Sequence, residues 1–151
     1  MSAYIDTSAL AKCYIREPRS FDVLDWLDAQ DSVSICSLTM VEFRCLLARR
    51  RRAGSISGEI EAAALARWET DIDGGMWRLE RLEHEDYNTA RQMIERLKTV
   101  PLRALDALHL AAAHNAVCQD FLTADRNQAT AAAMLGFTVH TFFEATPDTQ
   151  R

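Results

Sequence analysis

Lysine is nearly missing from this sequence: of 17 basic residues only Lys12 and Lys98 are lysines, so arginine supplies almost all the positive charge. Nor is that charge in excess. The formal net charge of −5 argues against a purely electrostatic nucleic-acid binder. Cysteine is sparse, and Cys13, Cys36, Cys45 and Cys118 show neither a C-x-x-C pair nor zinc-ligand spacing. Their apolar neighbours ("VSIC", "FRCLLA") predict small buried residues in a reducing compartment. Long uncharged stretches are also lacking. The longest, residues 127–143, is broken by Gly136 and several polar residues and does not read as a membrane span. The residues before the first predicted strand do not read as a signal peptide, and none is expected. The expectation is a soluble, cytoplasmic protein with no membrane partner.

What is present suits one domain. A chain of 151 residues with 48% hydrophobic content can bury a sizeable core without staples. No repeat, low-complexity linker or composition shift divides it, so residues 1–143 are read as one domain and 144–151 as a loose tail. Strands are predicted at "AYID", 32–36, 76–82 (an edge strand), 121–124 and 137–143. Helices are predicted over 8–15, 20–29, 39–52, 57–70, 86–97, 101–117 and 128–135. Thr7 or Ser8 can cap the first helix, Pro18 disfavours its continuation, and Gly136 sits where a helix-ending residue with positive φ belongs. Strands separated by helices imply right-handed βαβ units. The expected fold is α/β, with a central, mainly parallel sheet of about five strands flanked by helices.

The stretch "AYIDTSAL" raises a chemical question, because an apolar strand ends on Asp6. Ligands of open parallel sheets gather at the carboxyl ends of the strands. Three predicted βα junctions deliver an acid there: Asp6 after the first strand, Glu42 six residues after Cys36, and Asp125 directly after "FLTA". A fourth acid, Asp106, lies in "LRALDALHLAAAHNAV", a helix apolar nearly all round and expected to be deeply buried, with Asp106 in its second turn. Such an acid is costly without a cation or donors. Clustered carboxylates repel one another, and Mg²⁺ or Mn²⁺, which prefer oxygen ligands and retained waters, would relieve them. That arrangement suits phosphodiester hydrolysis. Each acid taken alone has a plainer role. Asp6 and Asp125 could cap helices, and "TMVE" from Thr39 fits a capping box that would occupy Glu42.

These motifs, "YIDTSALAKCY", "SLTMVEF", "LRALDALHLAAA" and "FLTADRNQATAAAMLGFTV", together resemble the PIN-domain ribonucleases, above all the VapC toxins of bacterial toxin–antitoxin pairs. The resemblance runs through nearly the whole chain in order and is weakest over about 55–77. It implies a PIN-like domain in which Asp6, Glu42 and Asp106 are the core metal-site acids and Asp125 the frequent fourth. Ser8 holds the small-hydroxyl position. It further implies Mg²⁺-dependent endonucleolytic cleavage of RNA, with Mn²⁺ able to substitute, leaving a 3′-hydroxyl and a 5′-phosphate. The implied partners are an RNA substrate, a cognate antitoxin and a second copy in a homodimer. The competing function is a PIN-like module that binds RNA or protein without cutting. An aspartyl phosphotransfer domain lacks its D-x-D and a lysine following a strand.

Other residues attract attention. Arg49 to Arg52 end one helix and either grip phosphate or complement the helix dipole; four consecutive positions sweep around a helix, so only one or two can face a groove. His109, three residues after Asp106, and His114 offer a metal site with that acid as an alternative, but the preferred reading is a hydrogen-bonded core histidine rather than a ligand; His84 and His140 have no evident partner. Trp26, Trp68 and Trp77 read as packing residues before base-stacking ones, and Arg44 and Arg126 are weaker phosphate candidates.

Overall fold

Successive side chains of β1 (Ala3–Ile5) point to opposite faces, and both faces are apolar. Ala3 and Ile5 join one core cluster, and Tyr4 joins another. Leu122 and Phe121 of β4 (Asp120–Thr123) divide in the same way. A strand buried on both faces belongs in the middle of a parallel sheet covered by helices. The computed structural model, which describes residues 2–144, shows that sheet. Its five strands run in the order β3-β2-β1-β4-β5, every pairing parallel, with β2 at Val33–Cys36, β3 at Trp77–Glu80 and β5 at Thr138–Thr141. As expected, the strand near 76–82 lies at an edge.

Seven helices flank the sheet among the described residues: α1 (Thr7–Tyr14), α2 (Ser20–Asp28), α3 (Ser37–Arg52), α4 (Gly58–Asp73), α5 (His84–Arg96), α6 (Ala104–Asn115) and α7 (Arg126–Met134). The first four pack their apolar stripes around Phe43, Leu47 and Trp68, on the face of Ile5 and Ile35. The last three pack on the opposite face around Tyr4, Leu110 and Phe121. Gly136, φ 94°, ends α7 as its position in the sequence predicted. The tail predicted to be loose falls almost wholly outside the described residues.

Several helix boundaries differ from expectation: α4 runs on to Asp73, α5 starts at His84, α7 starts at Arg126 with Asp125 as its cap, and three others bear directly on the acids. First, α1 begins at Thr7 because Asp6 is itself the N-cap, its Oδ1 accepting from Ala9 N at 3.0 Å. Second, α3 begins at Ser37 rather than 39, with Cys36 as cap. Glu42 therefore lies in the second turn, and the capping box from Thr39 does not form. Thr39 is fully buried and its hydroxyl has no partner among the described residues. Third, α6 begins at Ala104, which puts Asp106 in the first turn. The helix is buried from Ala107 to Ala113, but Leu105 is 47% exposed, so Asp106 stands at the mouth of the buried segment rather than deep within it.

Candidate active site

The chain passes from β1 outward through β2 to β3, then returns to place β4 on the other side of β1. The reversal between β1 and β4 opens a crevice at their carboxyl ends. Asp6 and Asp125 flank it, one after each strand, and Asp6 N donates to Leu122 O at 3.0 Å across the gap. Glu42 of α3 and Asp106 of α6 close the sides. All four acids, with Ser8, Thr7, Arg49 and His109, line one cleft of about 450 Å³. The structure thus brings together every acid the sequence singled out.

Each acid is held by neighbours. Asp6 is 4% exposed, its Oδ1 accepting from Ser8 Oγ at 2.7 Å and its Oδ2 from Thr123 Oγ1 at 2.5 Å. Ser8 in turn accepts from Ala124 N at 2.9 Å, so one hydroxyl ties the ends of β1 and β4 together. Thr123 Oγ1 also accepts from Asp125 N at 3.0 Å. Asp125 caps α7, its Oδ1 accepting from Gln128 N at 2.8 Å. The capping roles read for Asp6 and Asp125 are therefore real, and they coexist with a place on the cleft. Glu42 Oε1 accepts from Thr7 Oγ1 at 2.8 Å and from His109 Nε2.

Burial pushes the Asp6 carboxyl above its ordinary range; the His109 charge and the bonds from Thr123, Ala9 and Ser8 oppose this without reversing it. Asp106 is also raised, first by burial and then by the charge of Asp125, against the pull of Arg103 and His109. Burial acts the same way on Glu42, but the His109 bond and charge, aided by Thr7, hold it below its usual value. Burial disfavours the His109 imidazolium, yet the Cys36 contact and the Glu42 carboxylate keep it protonated well above 6.5. Its Nδ1 meets the Tyr4 hydroxyl at 2.7 Å.

His109 is a hydrogen-bonded core histidine, as read, but its bond to Glu42 was not legible. Thr123 and Tyr4 were missed outright. Thr123 carried a signal, since a polar residue closing the apolar run "FLT" repeats what Asp6 does after "AYI". Of the arginine run, Arg49 lines the cleft, Arg50 pairs with Glu17 at 2.6 Å and Arg51 with Glu61 at 3.7 Å. Arg44 is also held by Glu61, at 3.0 Å. Trp68 and Trp77 are core, and Trp26 tilts against His140, 4.8 Å between ring centroids. His140 meets Asp120 at 2.7 Å, whereas His84 and His114 are exposed. Three cysteines are buried as expected; Cys45 is exposed on the cleft wall.

Among the described residues, no three His, Cys, Asp or Glu side chains are drawn close enough to cage a metal by themselves. The protein's own donors already engage both oxygens of Asp6 and one each of Glu42 and Asp125. The donor set of the cleft nevertheless fits a hard cation. It is built of carboxylate oxygens, two of them with raised pKa, and Mg²⁺ uses one or two carboxylates while keeping several waters.

A parallel five-stranded sheet with acids gathered at its switch point defines an α/β domain with an anionic cleft at the strand ends. Residues 3–134 match the model of the PIN domain, and the chain belongs to that family. Comparison with curated proteins finds no match. Among solved structures the chain is similar to VapC20 of Mycobacterium tuberculosis, described as a Sarcin-Ricin loop cleaving toxin. The identity is 19% and the TM-score 0.69, covering 90% of this chain and 96% of that one. It is similar also to FitAcB from Neisseria gonorrhoeae, with 21% identity, TM-score 0.67 and coverage of 94% and 96%. A toxin-antitoxin complex from Klebsiella pneumoniae gives 16% identity, TM-score 0.63 and coverage of 95% and 99%. At these identities the shared property is the fold. No helix among the described residues is long and apolar enough to cross a membrane.

Proposed function

We propose that this protein is a Mg²⁺-dependent endoribonuclease, with Mn²⁺ able to substitute, acting as the toxin of a toxin–antitoxin pair. The observation that carries this reading is the convergence of Asp6, Glu42, Asp106 and Asp125, from four separate segments, on one cleft. One or two of these carboxylates would hold the cation directly and the others through its retained waters. When bound, it supplies a Lewis acid that screens phosphate charge and lowers the pKa of a water. The chain's own residues set the frame. Ser8 and Thr123 aim the Asp6 carboxylate, Thr7 and His109 fix one oxygen of Glu42, and Asp125 couples the cleft to the start of α7. In the hydrolysis, water oxygen bonds to phosphorus, the P–O3′ bond breaks and O3′ takes a proton. The products are a 3′-hydroxyl and a 5′-phosphate.

The partners follow the same reading. Val41 and Leu105, 64% and 47% exposed, flank the acids and offer an apolar rim to a segment of an antitoxin. Tyr87 and Ile94, 54% and 40% exposed, border a hollow between α5 and α6 that supports a homodimer, to be checked by light scattering. The reading places the protein in the cytoplasm, where its RNA is. The deciding experiment is incubation of total RNA with purified protein in Mg²⁺, in Mn²⁺ and in chelator, beside Asp106→Asn. Discrete, metal-dependent products absent from the variant support the nuclease. Metal-independent RNA binding with no cleavage would favour the non-catalytic module.

A further inference from the structure

The acidic cleft does not stand alone. A second hollow, of about 340 Å³, shares Ser8, Leu46 and Arg49 with it. Here the charge has the opposite sign: Lys12, Arg49, Arg50 and Arg126 face Glu17 and Glu144. Two of these cations are already committed. Lys12, only 4% exposed, donates to Pro18 O at 2.9 Å and to Glu17 at 3.4 Å, and Arg50 meets the other Glu17 oxygen at 2.6 Å. Arg49 and Arg126 are exposed, and among the described residues neither has a carboxylate partner. The Arg126 guanidinium lies 4.4 Å over the Phe143 ring, which leaves its N–H edge open. Phe143 is itself fixed, because Phe142 N donates to Thr123 O at 3.0 Å and Arg19 donates to Phe143 O at 3.3 Å.

A polyanion cannot approach four carboxylates without compensation nearby. The adjoining hollow supplies two unpaired guanidiniums and an aromatic ring, which match phosphate and a flat base better than they match an acidic peptide. We infer that this hollow is a subsite for single-stranded RNA next to the scissile bond, where Arg49 and Arg126 bind backbone phosphates and Phe143 supports a base. The inference rests on the ribonuclease reading and extends it to a strand path: the chain runs from the cationic hollow, past Arg49, into the acidic cleft.

The test is anisotropy of a short fluorescent single-stranded RNA in chelator, titrated with protein from about 50 to about 200 mM salt. Arg49→Gln and Arg126→Gln should each weaken binding and reduce the slope of log K against log salt by about 0.7, the value for one phosphate contact on a single strand. Phe143→Ala should weaken binding roughly tenfold with the slope unchanged. Arg81→Gln, an exposed charge that lines neither hollow, should match wild type. Mn²⁺ affinity, read separately by calorimetry, should be unchanged or tighter in Arg49→Gln. If Arg126→Gln does not fold, Arg126→Lys replaces it, with the slope retained and affinity lowered. Arginine variants that bind RNA as Arg81→Gln does overturn the subsite. If wild type still cleaves RNA with metal, only the subsite falls; if it neither binds nor cleaves RNA, the ribonuclease reading falls with it.

Discussion

His109 Nε2 donates a hydrogen bond to Glu42 Oε1, joining α6 to α3 inside the cleft, and the Tyr4 hydroxyl meets the other nitrogen of the same ring. One buried imidazole therefore decides where a candidate metal ligand points. His109→Ala should destabilise the fold by ~1.5–3 kcal/mol, the usual worth of a hydrogen bond to a charged group. Tyr4→Phe, which keeps the ring stacked on Phe121, should cost about 1 kcal/mol, since Nδ1 loses the hydroxyl but keeps its contact with Cys36 Sγ at 3.8 Å. Urea unfolding in chelator measures both. A His109→Ala protein as stable as wild type would mean that the pair contributes nothing net.

Asp6→Asn should leave the protein folded and remove cleavage. The amide keeps the shape and still accepts from Ala9 N, but the ligand charge is gone. Loss of several kcal/mol of transition-state stabilisation lowers the rate on the order of 10²-fold or more. Burial already disfavours the charge that is removed, but the amide nitrogen cannot accept from Thr123 Oγ1, so a cost of about 1 kcal/mol at neutral pH is expected, well short of unfolding. Single-turnover cleavage together with thermal unfolding tests the two halves separately.

Asp106 offers a pH test. Its folded pKa is raised above 3.8, by burial and then by Asp125. Between the unfolded and folded values the native state holds the extra proton. Its contribution is therefore full below 3.8 and is lost as pH rises through the folded value. Asp106→Asn should remove this loss, so the variant gains on wild type from pH 4 upward in chelator. Paired urea titrations at several pH values read the difference. A difference that does not change with pH would contradict the shift.

Ser8 and Thr123 act through Asp6. Thr123→Val keeps the volume but strands one Asp6 oxygen and Asp125 N, at a cost of ~1–3 kcal/mol. Ser8→Ala breaks the tie between Asp6 and Ala124 N, with a similar cost. Both should lower cleavage less than Asp6→Asn does, because the carboxylate remains. Unfolding midpoints and cleavage rates of the three variants test that ranking.

Adding the cation should stabilise the protein, since it removes repulsion among the acids. Mg²⁺ or Mn²⁺ at a hundredfold over its Kd should add about 2.7 kcal/mol, visible as a raised Tm that chelator reverses. The gain should vanish in Asp106→Asn.

Much of the molecule follows from local pattern. Apolar runs closed by Asp6, Cys36 and Thr123, separated by amphipathic helices, determined a parallel α/β sheet and the end of it where the acids sit. Three acids could be placed by strand-end position alone, because the residues following a parallel strand all emerge at one edge. Tertiary structure decided what spacing cannot reach. Which strand lies beside β1 determines that Asp6 meets Thr123, 117 residues away. The packing of α6 against β2 and Tyr4 determines that His109 holds Glu42, and it lets the α6 start at Ala104 bring Asp106 to the cleft mouth. Helix ends shifted for different reasons: the Asp6 side chain caps α1, α3 starts directly from the end of β2 with Cys36 making no side-chain cap bond, and Thr39 was drawn into the core. Periodicity is a property of neighbours along the chain, whereas hydrogen-bond partners in a buried cleft are chosen by the chain's path through space.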